Sequence, residues 1–295
     1  MHYLAAVSLI WAFSFGLIGT YLPSVDSYFI ASIRLGLAAL LFLAFFRPTK
    51  VPQGQYLKLV GCGAIQFGLM YVCYIKAFSY LPSHLVALFS VMTPVYVVLI
   101  HDLRQKRCSA RHLMAASLSV AGAAIIKAKS GTSETLWIGF GLMQIAGLAF
   151  AFGQVYYRDW KTQYQQVKDH HVFALLYIGG VSFALMVSSY QTDWKAIEVS
   201  SQQWLTLLYL GFIASGLCFF LWNKGATLSS PGALGAFNNV VIPLAMAVSL
   251  FVFGEIDHIE STQLIRLILG GGLIFTAVYL AEKVDSHRAK SAEST

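Results

Sequence analysis

The chain has 295 residues, of which 57% are hydrophobic and 11% charged, with a formal net charge of +7. A soluble domain carries about 25% charged residues, so a water-soluble protein of this make-up could not cover its own apolar surface, whereas a bilayer solvates it. The basic excess does not point to nucleic acid, because no basic run is interleaved with base-stacking aromatics; it suits residues that anchor cytoplasmic loops.

A membrane-spanning helix needs about 20 apolar residues. Ten apolar runs follow one another, at residues 3–22, 27–46, 56–79, 83–101, 110–128, 135–157, 171–190, 203–222, 232–254 and 262–282. They predict an all-α membrane protein of ten transmembrane helices. The first run starts without a basic segment and is too long for the core of a signal peptide, so it reads as a retained helix. Turn and charge signals separate the runs, among them Leu22-Pro23-Ser24, Arg47-Pro48-Thr49-Lys50, Leu81-Pro82-Ser83 and Ser230-Pro231-Gly232. Residues 283–295 are polar and read as a disordered cytoplasmic tail.

In the first run, Trp11 and Phe15 are i, i+4 neighbours beside Ser14. A tryptophan at mid-depth does not belong to the interfacial aromatic belt, and these three residues are candidates for a cavity wall. The second run carries Arg34. An arginine near the centre of a spanning helix costs about 2.5–3.5 kcal/mol. Either a substrate carboxylate offsets that cost through the guanidinium fork, or the side chain binds helix-end carbonyls or snorkels outward. Gln66, Tyr71 and Tyr74 line the third run. Lys76, near its end, is either a snorkelling anchor or a cation at the mouth of a cavity. His84, opening the fourth run, is a proton sensor or, as interfacial histidines usually are, plain surface.

Pro94 and Pro243 lie inside the fourth and ninth runs. Proline removes a backbone bond and bends its helix, so this pair reads as gating joints or as static kinks. Asn223 ends the eighth run beside Trp222, and Asn238 and Asn239 follow a small-residue face in the ninth. Each buried amide needs a partner, either another helix or a ligand. Asp26, Asp102, Asp159 and Glu255 sit at the ends of runs, so no buried carboxylate relay is visible. Cys62, Cys73 and Cys218 fall in apolar runs and Cys108 in a basic loop, with neither metal-ligand nor disulfide spacing. No cofactor or metal is expected.

Lys and Arg placement orients the chain. Arg47, Lys50, Lys58, Arg104, Lys106, Arg107, Arg111, Arg158, Lys161, Lys168, Lys224, Lys283, Arg288 and Lys290 belong to one set of connections; Lys127, Lys129, Lys195 and Arg266 belong to the other. Fourteen against four places the first set, and both termini, in the cytoplasm. An internal repeat is also legible. Trp11-Ala12-Phe13-Ser14-Phe15-Gly16 reads like Leu148-Ala149-Phe150-Ala151-Phe152-Gly153, and an offset of 149 aligns Ala77, Pro82, Ala87 and Pro94 with Ala226, Pro231, Ala236 and Pro243. Five helices per half is an odd number, so the second copy lies upside down. The expected halves are residues 1–128 and 129–282. Inverted repeats mark secondary transporters, with the substrate near the midplane between them.

These segments carry a resemblance. Leu9-Ile10-Trp11-Ala12-Phe13-Ser14-Phe15, Ile33-Arg34-Leu35-Gly36-Leu37-Ala38-Ala39-Leu40 and the Pro94 and Pro243 helices resemble the drug/metabolite transporter superfamily, with two EamA-type domains over about residues 3–282. Within it the chain is most similar to biotin-transporting members of the carboxylate/amino acid/amine group. Val25-Asp26-Ser27-Tyr28-Phe29, Ala214-Ser215-Gly216, Trp222-Asn223-Lys224-Gly225-Ala226-Thr227 and Gly235-Ala236-Phe237-Asn238-Asn239 carry that closer likeness. The resemblance implies a carrier in the bacterial inner membrane that takes up biotin or a similar small carboxylate. The ureido ring of such a substrate offers two donors and one acceptor, which Asn and Gln amides can match.

Three other readings compete with it. A general EamA exporter of amino acids or metabolites would use a similar cavity. An enzyme is not expected, since HExxH, Walker A, GxSxG and an intramembrane Asp pair are all missing, and His170-His171 lack partners at metal-ligand spacing. A purely structural membrane protein would have no use for an inverted repeat.

Overall fold

The computed structural model describes residues 2–104, 117–118, 121–122, 124–125, 135–228 and 241–276. The protein is all-α, with nine helices among the described residues. They are α1 (His2–Tyr21), α2 (Ser27–Leu43), α3 (Tyr56–Ala77), α4 (Ser83–Phe89 and Thr93–Arg104, joined by a 3-10 turn at Ser90–Met92), α5 (Thr135–Gln163), α6 (Phe173–Gln191), α7 (Ser201–Leu228), α8 (Val241–Val252) and α9 (Ser261–Thr276). Five of them, α1, α3, α5, α6 and α7, are long and apolar enough to cross a membrane, and the other four are shorter apolar helices. This is a multi-pass membrane protein. Nine of the ten expected runs coincide with these helices. The run at 110–128 lies mostly outside the described residues, although positions 117–118, 121–122 and 124–125 within it are helical.

Local chemistry sets the helix ends. Asp26 Oδ1 accepts the amides of Tyr28 and Phe29 at 3.1 and 2.9 Å and caps α2. The same oxygen accepts the Thr192 hydroxyl at 2.5 Å, tying the start of α2 to the end of α6. Pro48 forces Arg47 into extended backbone, φ −128 and ψ 94, so α2 ends earlier than the apolar run at 27–46 suggests. Ser200 and Gln203 form a capping box at the start of α7. α5 outruns its expected end at 157 because backbone bonding continues past the first charges. Its last turns are held by Tyr157, which donates to Asp169 Oδ1 at 2.6 Å, and by Lys161, which donates to the Val167 carbonyl. α7 likewise continues past Trp222 to Leu228.

Two apolar cores divide the bundle. One is built mainly by α2, α3, α6 and α7, the other by α1, α4, α8 and α9, with α5 contributing to both. In the first, α3 and α6 meet backbone to backbone: a Cβ on Gly63 would stand 1.9 Å from the Leu176 carbonyl oxygen, and one on Gly179 would stand 1.9 Å from that of Val60. Small residues let membrane helices approach in this way. Ile10, Trp11, Tyr74, Phe78, Leu142 and Phe150 pack against both cores and form the seam between them.

One polar bond crosses the bundle far from the seam. Pro82, at the cap of α4, offers no side-chain acceptor, which leaves the first amides of the helix open. Glu255, just past α8 after a left-handed Gly254 (φ 73), fills the gap. Its carboxylate accepts the amides of Ser83 and His84, both at 3.0 Å, and His84 Nδ1 at 2.7 Å. His84 is therefore buried and bonded, not the surface histidine that its place in the sequence suggests. Burial alone would raise the Glu255 carboxyl, but the bonds from His84 and Ser83 outweigh it and hold the group below its ordinary value. A depressed folded-state value adds stability above the ordinary carboxylate value of about 4.3, and that stability is lost as pH falls through the lower folded one. Glu255→Gln should cost about 1.5–3 kcal/mol at neutral pH. In thermal unfolding in detergent the variant should also lose the parent's extra acid sensitivity; an unchanged pH profile would show that the bond carries none of it.

Candidate substrate-binding site

Arg34 lies on the second turn of α2, only 2% exposed. Three helices hold it. Nε donates to Ser215 Oγ on α7 at 3.1 Å and Nη2 donates to Tyr71 OH on α3 at 3.2 Å. Tyr71 passes its own proton to Ser215 Oγ at 2.7 Å, and Ser215 passes its proton to the Leu210 carbonyl at 2.7 Å. Each hydroxyl in this chain accepts and donates consistently, so the guanidinium orientation is fixed. Its carbon also lies 4.8 Å from the centroid of the Tyr71 ring.

The backbone makes room for this network. α3 is π-helical over Ala64–Leu69 and α7 over Leu210–Leu217. A π segment widens the helix and redirects carbonyls, a device frequent at functional sites. In α7, Leu210 O goes to the Ser215 hydroxyl, five residues on. Tyr177 OH, from α6, sits 2.7 Å from Ser215 O and 2.8 Å from Gly216 O. Arg34 Nη1 remains buried with no hydrogen-bond partner, and no carboxylate among the described residues pairs with the guanidinium. A buried cation without a counter-charge is costly, so an anion brought to Nη1 is favoured.

Arg34, Tyr71 and Tyr74 face a cavity on the seam between the two cores. Trp11, Ser14 and Phe15 bring α1 to it, and Met143, Gly147 and Phe150 bring α5. Phe219 of α7, Ser90 and Thr93 of α4, and Val241 and Ile242 of α8 complete the wall. Trp11 is locked in place: its Nε1 donates to the Ala214 carbonyl at 2.9 Å, and its ring lies 4.7 Å from Phe219 and 4.9 Å from Trp222. Phe15 meets Tyr74 edge-on at 5.7 Å. Among the described residues the cavity is therefore apolar along its sides, with one cation and a few hydroxyls.

The break in α4 has its own chemistry. Pro94 has no N–H, so the Ser90 carbonyl, four residues earlier, loses its helical donor. The Thr93 amide takes its place in the 3-10 turn, and the Thr93 hydroxyl adds a second bond at 2.8 Å. Gln144 Nε2 reaches the Phe89 carbonyl at 3.4 Å, and Tyr96 OH donates to Gln144 Oε1 at 2.7 Å. Pro243 lies exposed in α8.

Six of the expected site residues thus come together on one cavity: Trp11, Ser14, Phe15, Arg34, Tyr71 and Tyr74. Gln66 and Asn223 meet each other instead. Gln66 Nε2 donates to Asn223 Oδ1 at 3.2 Å, and Asn223 Nδ2 donates to the Phe219 carbonyl at 2.9 Å, joining α3 to α7 away from the cavity wall. Lys76 stands over the rings of Tyr28 and Tyr80, at 5.3 and 5.9 Å, and does not line the cavity. Asn238 and Asn239 lie outside the described residues. Ser215, Tyr177, Ser90 and Thr93 were not singled out from the sequence as site residues. The one available signal was Ser215, a hydroxyl between Ala214 and Gly216 in an otherwise apolar run.

A multi-pass apolar bundle around such a cavity is the build of a small-molecule transporter. Residues 1–128 match the EamA-like transporter family. The biotin transporter of Salmonella typhimurium is 35% identical over 289 residues, covering 96% of this chain and 93% of that protein. The biotin transporter of Escherichia coli K12 is 36% identical over 264 residues, covering 88% and 86%. A probable biotin transporter of Pseudomonas aeruginosa is 37% identical over 282 residues, covering 95% and 96%. A solved crystal structure shares the fold with a TM-score of 0.62 at 16% identity, over 95% of this chain and 94% of that one. The chain belongs to the EamA-like transporter family; it is a transporter and not an enzyme.

The support behind Arg34 is testable without any substrate. Tyr177→Phe strips the hydroxyl that serves two carbonyls of the α7 π segment, and leaving buried acceptors unsatisfied costs about 1–3 kcal/mol. Its melting temperature in detergent should fall accordingly, whereas Tyr190→Phe, at an exposed ring, should leave it unchanged.

Proposed function

We propose that this chain takes up biotin, or a carboxylate of closely similar shape, across the bacterial inner membrane by alternating access. The observation that carries this reading is the unpartnered Nη1 of buried Arg34 in an aromatic-walled cavity. Biotin has one carboxylate on an apolar chain and ring, which suits one free cation and apolar sides. The biotin transporters among its relatives support the same substrate. An exporter of amino acids fits less well, because a bound amino acid also brings an ammonium, and the described wall offers no carboxylate to meet it.

In this proposal two inverted halves, residues 1–128 and 129–282, enclose the substrate, with both termini cytoplasmic. The π segments support the duplication. The offset of 149 read from the sequence carries Ala64–Leu69 onto residues 213–218, overlapping the π segment at Leu210–Leu217. With the termini inside, the bond between Glu255 and the start of α4 closes the outer face, and Pro94 and Pro243 are the joints about which the halves rock.

Bacteria unable to make biotin should accumulate labelled biotin when they express this chain. Arg34→Ala should lower uptake by at least about tenfold, the loss of a charge-assisted hydrogen bond, at unchanged membrane abundance. Uptake no higher than in cells carrying an empty vector would reject the biotin reading. A cysteine placed in the 104–107 connection should react with impermeant thiol reagents only from the cytoplasmic side; reaction from outside would overturn the orientation.

A further inference from the structure

The cavity carries a second chemistry besides its cation. Besides Tyr71 and Tyr74, three of its wall residues bear hydroxyls, Ser14, Ser90 and Thr93, and in each of these the single proton is already committed to the residue's own helix. Ser14 Oγ donates to the Ile10 carbonyl at 3.0 Å, Ser90 Oγ to the Ala87 carbonyl at 2.6 Å, and Thr93 Oγ1 to the Ser90 carbonyl at 2.8 Å. A hydroxyl has one donor and two acceptor lone pairs, so what these three still offer to the cavity is acceptors. Tyr71 has likewise given its proton to Ser215, and Trp11 Nε1 is held by Ala214. Among the described wall residues, the polar groups whose partners are fixed thus divide into a donor at Arg34 and acceptors at Ser14, Ser90 and Thr93.

The commitment of Thr93 is structural and therefore stable. Its proton goes to the Ser90 carbonyl, which the missing amide of Pro94 leaves to two donors of Thr93, its amide and its hydroxyl. Gly147, facing Thr93 across the cavity edge, keeps the space in front of the hydroxyl open: a Cβ there would come within 3.3 Å of Thr93 Oγ1. The 3-10 turn at Ser90–Met92 thus gives the Thr93 proton an acceptor within its own helix and leaves the hydroxyl's lone pairs to the cavity.

We propose that the hydroxyls of Ser14, Ser90 and Thr93 form a donor-recognising subsite that takes the N–H groups of a cyclic urea, while Arg34 takes the carboxylate of the same molecule. This assignment rests on the biotin reading and deepens it. A simple fatty carboxylate satisfies Arg34 but leaves the acceptors unpaired. A site built to bond a polar group discriminates strongly against an analogue lacking it. The amide residues first expected to meet the ureido ring, Gln66 and Asn223, are occupied with each other, and the hydroxyls take over that role.

The test compares biotin with an analogue that keeps the thiolane ring and pentanoate chain but lacks the urea, each measured as a competitor of labelled biotin uptake in whole cells. The parent should prefer biotin. Ser90→Ala and Thr93→Val should each shrink that preference by about three- to tenfold, the worth of one hydrogen bond, and Thr93→Ser should restore it. If both variants weaken the two ligands equally, the hydroxyls only pack α4, and the subsite is overturned. If the parent takes up biotin but shows no preference over the urea-free analogue, the subsite is again overturned while the biotin reading stands. If the parent takes up no biotin, the biotin reading fails, and the urea assignment falls with it.

Discussion

A guanidinium buried in a membrane protein must be held, and most of what is unusual in this fold surrounds that need. Either of the two side chains bonded to Arg34 could have neutralised it with less machinery had it been a carboxylate. The chain instead orients the cation with two neutral hydroxyls and leaves one nitrogen open. Neutral partners position a charge without cancelling it. The desolvation cost is therefore still standing when the cavity is empty, and it is relieved only by an anion. A transporter gains from this arrangement, because the binding energy comes from the ligand completing an unfinished shell and not from displacing a resident counter-ion.

Supporting that arginine had consequences along the backbone. Ser215 reaches Arg34 from a helix whose π segment turns its own carbonyls away from regular pairing. Those carbonyls then need donors, and the Ser215 and Tyr177 hydroxyls supply them. Tyr177 in turn stacks on Phe67 at 4.9 Å, on the π segment of α3. α6, which lines none of the cavity, is pressed against α3 through Gly63 and Gly179 so that this tyrosine arrives where it is needed. The close glycine contact and the polar site are one construction, with the second possible only at the spacing that the first allows.

The sequence exposed the fold through composition and length alone, since ten apolar runs separated by Pro and charge admit few other architectures. Of the six expected residues that line the cavity, five stood out for the same reason, a charge or an aromatic out of place in an apolar run, and Ser14 was reached only through its neighbours Trp11 and Phe15. Arg34, Trp11 and Tyr71 are conspicuous in this way. Hydroxyls are not. Ser90 and Thr93 sit in apolar helices as commonly as any serine or threonine, and only the folded helix shows that their protons go to the Ala87 and Ser90 carbonyls. The amides misled for the opposite reason. Gln66 and Asn223 looked like ligand groups because each needs a partner, but 157 positions of sequence separation hid that each is the other's partner. His84 was misjudged in the same way, its partner Glu255 lying 171 residues on.

The arginine's supports do not all belong to one side of the molecule. Arg34 and Tyr71 come from α2 and α3, and Ser215 from α7. In the proposed division at residue 128, the bond from Nε to Ser215 therefore crosses from one half to the other, as do the Gln66–Asn223 pair and the Glu255 bonds to α4. In that proposal, a rocking of the halves that parts α7 from α2 would remove one of the two hydroxyls that orient the guanidinium, and its hold on a carboxylate would weaken at the same moment. If Arg34 holds the substrate as proposed, a bound carboxylate would stiffen the guanidinium and favour the arrangement in which all three helices touch it. Ligand occupancy and the packing of the halves are then linked through one side chain, by an amount limited to the difference in the arginine's bonds between the two arrangements. For a carrier that must release what it captures, placing the shared bond on a neutral serine keeps that difference small enough to reverse.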